Sequence, residues 1–98
     1  MRDMNTSDRA KLRSIAMTEK AITQVGKNGV TDTVLKQVDE QLTARELVKV
    51  SVLRNSDDDV KTVAAALADA LGAEIVQTLG FKITLYRFST ADGVKHLL

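Results

Sequence analysis

Cysteine is absent, and with it disulfides, thiol nucleophiles and cysteine-based metal sites. Histidine occurs once, at His96, with nothing to build a nucleophilic triad around it, so it reads as inert. The three aromatics, Phe81, Tyr86 and Phe88, crowd into one late stretch. They are too few for a platform on which successive bases stack, and some of them belong to a core. No apolar run approaches the roughly 18–20 residues of a membrane helix. Met1 to Thr6 has no apolar stretch behind it, so no signal peptide is expected and the cytoplasm is the expected location. No carboxylate pair stands out as an acid–base couple, and neither a P-loop nor a dinucleotide glycine pattern is present. The expectation is a non-catalytic domain with no cofactor and no metal.

What remains is 98 residues, 44% hydrophobic and 28% charged, enough for a single domain with one modest core. The net charge is +1, but its distribution is uneven. Residues 1–30 hold six basic groups against three acidic, a net of +3; residues 31–98 hold eight against ten, a net of −2. A local basic field suits nucleic acid better than a uniform spread.

The positive third also contains the stretch Gly26-Lys27-Asn28-Gly29. Ala21 to Val25, rich in β-branched residues, leads into it as a strand. Thr31, a good N-cap, and Asp32 open a helix of about 32–44, with Val34, Leu35, Val38 and Leu42 on its apolar face. A strand-to-helix turn with two glycines, a lysine and the positive end of a helix is suited to a phosphate. Asn28-Gly29 is also simply a good turn dipeptide.

Before this turn, Thr6 or Ser7 can cap a first helix, with Leu12, Ile15 and Ala16 as its buried stripe. Arg9 and Arg13 flank that stripe on one side and Lys11 on the other. After it, residues 47–53 alternate as a strand, with Val48, Val50 and Val52 on one face and Lys49 and Ser51 on the other. Asp57-Asp58-Asp59 reads as the negatively charged start of a third helix at about 58–71, which stops at Gly72, rather than as a magnesium site. Strands at about 73–79 and 82–88, joined at Gly80, form a hairpin. Residues 89–98 lack a period and read as a tail. The fold class is α/β, ordered α-β-α-β-α-β-β, with a four-stranded mixed sheet and helices packed on it.

Three ordered motifs carry a resemblance: Gln24 to Thr31, Glu46 to Val50, and Gly80 with Leu85-Tyr86-Arg87. Over about residues 7–88 the chain resembles the CRM domain of chloroplast RNA splicing and ribosome maturation proteins, in its stand-alone bacterial YhbY-type form. The resemblance implies a fold like the C-terminal domain of translation initiation factor three. It implies RNA binding through the GxxG loop (Gly26, Lys27, Asn28, Gly29) and neighbouring basic residues, here Arg9, Lys11, Arg13, Lys20, Lys82 and Arg87. The implied partner is ribosomal RNA in precursors of the large subunit. The chain departs from the family pattern at Met17, Ala21 and Phe81, where histidine, proline and lysine are common. The competing reading is a protein-interaction module of the assembly or translation machinery whose glycine turn is structural.

Overall fold

The computed structural model describes residues 4–98. Its elements are α1 (Thr6–Ala16), β1 (Thr23–Val25), α2 (Asp32–Arg45), β2 (Leu47–Val52), α3 (Val60–Leu71), β3 (Glu74–Leu79) and β4 (Lys82–Tyr86). The expected order holds throughout, with boundaries moved by up to two residues at most ends. The sheet runs β1-β2-β4-β3. The β1–α2–β2 crossover makes β1 and β2 parallel, while β4 is antiparallel to both β2 and β3.

Alternation along the strands divides the molecule into two layers of contact. Val48, Val50 and Val52 join Val25, Ile83 and Leu85 beneath α2 and α3, which contribute Val34, Val38, Leu42, Val63, Ala64 and Leu67. On the opposite face α1 brings Leu12 and Ala16 onto Leu47, Val76 and Tyr86. That second core is small because α1 is short and covers only the part of the sheet near Leu47 and Tyr86. A register shift between Ile75 and Gln77 adds one residue to β3 opposite β4. As a result Val76 packs under α1, and Gln77 pairs with Thr84 beyond it.

The helix ends follow local chemistry. Asn5, rather than Thr6 or Ser7, caps α1: its Oδ1 accepts from the Asp8 amide at 2.8 Å, and Asp8 reciprocates to the Asn5 amide at 3.3 Å. Asp59 caps α3 by accepting from the Thr62 amide at 2.7 Å, the capping role expected of the acidic triplet. That bond to Thr62 holds the Asp59 carboxyl below its usual value. The β3–β4 hairpin turns on Gly80-Phe81, with Gly80 at φ 58°, as a tight two-residue turn requires at its first central position.

The segment after β4 needs a correction. Residues 89–98 have no regular secondary structure, but they do not trail as a tail. Ser89 is buried, and Leu97 and Leu98 pack against the α1 core. The anchor is Glu46, fully buried at the end of α2. Its carboxylate accepts from the Ser89 amide at 2.7 Å and the Leu97 amide at 3.0 Å, and lies 2.8 Å from His96 Nδ1. His96 also stacks on Phe88, centroids 4.5 Å apart. The lone histidine therefore has a carboxylate partner and a structural place.

Candidate nucleic-acid interface

The expected turn forms as Gly26-Lys27-Asn28-Gly29, closed by the Gly29 amide donating to the Gly26 carbonyl at 3.0 Å. Gly29 has φ 69°, a conformation L side chains rarely adopt, and a Cβ there would lie 3.2 Å from Asp58 Oδ2. Two reasons, backbone and space, therefore favour glycine. Lys27 and Asn28 at the tip are exposed, and Lys27 has no ion-pair partner among the described residues. Only Val30 and Thr31 separate the turn from α2. Thr31 Oγ1 accepts from the Val34 amide at 3.2 Å, so the cap satisfies one amide and the positive end of the helix stays beside the turn.

The sheet fixes what surrounds this turn. The Leu53 amide donates to Val25 O, and the Val52 amide to Phe81 O, both at 2.8 Å. The ends of β1 and β2 and the β3–β4 turn thus converge. Arg54, a cation the sequence reading passed over, lies here with its guanidinium carbon 5.6 Å from the Phe81 ring centroid. Asp58 borders the turn with exposed negative charge and narrows the direction from which an anion can approach.

The other expected basic residues separate into two groups. Lys11, Arg13 and Lys20 are exposed. Lys82 is exposed and donates to Ser51 Oγ at 3.1 Å. Arg13 and Lys82, together with Lys49, line one cleft beside α1. Arg9 and Arg87, by contrast, are engaged inside the fold. Arg9 Nη1 donates to Ile75 O at 2.6 Å, fastening α1 at the irregular step of β3. Arg87 donates through Nη1 to Asp39 Oδ1 (2.8 Å) and Leu71 O (3.0 Å), and through Nη2 to Asp39 O (3.0 Å) and Thr43 Oγ1 (2.9 Å). Its fork ties the ends of α2 and α3 to β4, so it serves as a strut.

The fold and this corner define a small α/β domain that presents a lysine-bearing glycine turn beside a helix N-terminus. The chain belongs to the CRS1 / YhbY (CRM) domain family, whose model matches residues 4–87. It is 50% identical over 78 residues, 80% of this chain and 81% of the other, to "Probable RNA-binding protein YqeI" of Bacillus subtilis. An "RNA-binding protein" of Haemophilus influenzae is 29% identical over 87 residues, 89% and 88% of the two chains. The solution structure of SAV1595 from Staphylococcus aureus, described as "a putative RNA binding protein", superposes with a TM-score of 0.77 at 39% identity, covering 92% of this chain and 94% of that one.

Proposed function

We propose that this chain is a non-catalytic RNA-binding domain that recognises structured RNA through the Gly26–Gly29 turn and the basic side chains around it. The observation that carries the reading is Lys27, exposed at a closed turn against the start of α2, in a family whose similar members bear RNA-binding names. The turn's backbone and the Lys27 ammonium hold one phosphate; Lys11, Arg13, Lys20 and Lys82 supply further charge. Such contacts read backbone and shape rather than base sequence. The RNA is ribosomal, in precursors of the large subunit, and the domain acts in the cytoplasm during ribosome assembly. These finer steps follow the family resemblance. Among the described residues no helix is long and apolar enough to cross a membrane.

The test is affinity for a structured large-subunit ribosomal RNA fragment across a range of salt. Phosphate contacts release counterions and give a steep log–log slope; an apolar protein interface does not. A flat slope with this RNA, alongside salt-insensitive capture of an assembly protein, would favour the protein-interaction module instead.

A further inference from the structure

Because α1 covers only the Leu47 side of its face, a cleft remains beside it. Its floor and walls are Arg13, Ala16, Met17, Lys49, Gln77, Leu79, Lys82 and Thr84, enclosing about 210 Å³. Three are cations and none is an acid. Met17 is 82% exposed and Leu79 69% exposed, the two most exposed large hydrophobic side chains in the described residues. Two of the cations are held in place: Lys49 Nζ donates to Glu19 O at 3.3 Å, and Lys82 Nζ to Ser51 Oγ at 3.1 Å. An ammonium has three donors, so each retains hydrogen-bonding capacity. Arg13 has no ion-pair partner among the described residues.

We propose that this cleft takes one unpaired nucleotide of the RNA held by the glycine turn, and the proposal rests on that RNA-binding reading. Its phosphate meets Arg13, Lys49 and Lys82. Its base lies against Met17 and Leu79, with Gln77 able to meet its polar edge above the buried Thr84 at the floor. Charge favours a polyanion, since the cleft has three cations and no acid, and the RNA-binding reading makes that polyanion RNA. The size decides for one unit, since the cavity is smaller than the roughly 300–1,000 Å³ of sites for drug-sized ligands. The placement is also consistent. Lys82 pairs with Ser51, and Ser51 with Gln24, two residues before Gly26. Cleft and turn therefore share one end of the sheet, and a single RNA can reach both.

The probes are two large-subunit ribosomal RNA hairpins, identical except that one carries a single-nucleotide bulge. They are titrated into the labelled full chain while backbone amides are followed by NMR. The bulged hairpin should shift Lys49, Gln77, Leu79 and Thr84 as well as residues 26–29, and should bind roughly fivefold tighter than its partner, the scale of burying one base face on aliphatic groups. Met17→Ala with Leu79→Ala should abolish that preference; both side chains are exposed, so the fold is retained. Lys27→Ala should weaken both hairpins equally. If both hairpins move the turn but neither moves the cleft, the cleft proposal fails while the RNA reading stands. If neither hairpin binds, the RNA reading fails and takes the cleft with it. A poly-glutamate peptide that competes for the cleft as strongly as the bulged RNA would also overturn the proposal, making the cleft a site for an acidic protein.

Discussion

Gly29 and Glu46 share a left-handed backbone, φ 69° and 67°, at opposite ends of the sheet, and they are put to opposite uses. At Gly29 glycine relieves the backbone, and the neighbouring lysine is left exposed and unpaired. At Glu46 a non-glycine residue holds the same conformation, a strain of order 1–3 kcal/mol, and three hydrogen-bond partners converge on its carboxylate. Surface charge divides in the same way. The cleft near the turn is lined by Arg13, Lys49 and Lys82 with no acid. The groove between α2 and residues 91–94 is lined by Asp39, Glu40 and Asp92 with no base. At the Glu46 end the polar groups are satisfied internally; at the turn end cations are left without ion-pair partners, which is where the proposed RNA contact falls. Polar groups closed on each other make structure, whereas those left open make a site.

The largest effect should come from breaking the closed end. Glu46→Ala leaves the Ser89 and Leu97 amides without their acceptor and should cost about 3 kcal/mol, read as a fall in melting temperature. Glu46→Gly removes the same carboxylate but relieves the backbone, and should be milder by about 1 kcal/mol. Equal losses would show that the strain is unimportant. Burial acts to raise the Glu46 carboxyl, but the bonds from Ser89, His96 and Leu97 and the charge of His96 together hold it below the ordinary value near 4.5. Its contribution to stability is therefore present above that value and lost as pH falls through the lower, folded-state one. An acid titration of stability in Glu46→Gln should lack this component.

Arg87→Ala comes next. Removing four hydrogen bonds, one to a carboxylate, should cost about 2 kcal/mol with RNA affinity unchanged in the protein that remains folded. A selective loss of affinity would return Arg87 to the RNA surface. Gly29→Ala should cost about 1 kcal/mol or somewhat more through its backbone and the nearby Asp58, measurable by denaturant unfolding.

The contrast between the two ends also shows what a sequence discloses. Elements with a period were legible: the alternation at Val48, Val50 and Val52 and the helical spacing of Val34, Val38 and Leu42 correspond to one core. The glycine turn was legible because its four residues are consecutive. The latch was not. Its partners lie 43 to 51 residues from Glu46, and one buried carboxylate leaves no period in the segment it anchors. The alternation of β2 shows Lys49 on its polar face, but only the strand order β2-β4-β3 and the short reach of α1 bring it together with Arg13 and Lys82. The capping residue of α1 moved to Asn5 because a reciprocal bond with Asp8 outweighs the intrinsic suitability of Thr6. Arg9 and Arg87 counted as surface charge in the sequence, since nothing in a list of residues shows which carbonyls a guanidinium will meet.

The smallest effect on stability should be at Lys27, and it is the most informative for function. Salt-dependent affinity of Lys27→Ala for a structured large-subunit ribosomal RNA fragment, measured alongside thermal unfolding, tests the open end directly. The account predicts an unchanged melting temperature, binding weaker by about 1 kcal/mol, and a log–log salt slope shallower by about one unit. Full affinity with an unaltered slope in Lys27→Asp with Asn28→Asp, in a protein that melts like the parent, would contradict it and leave the turn purely structural.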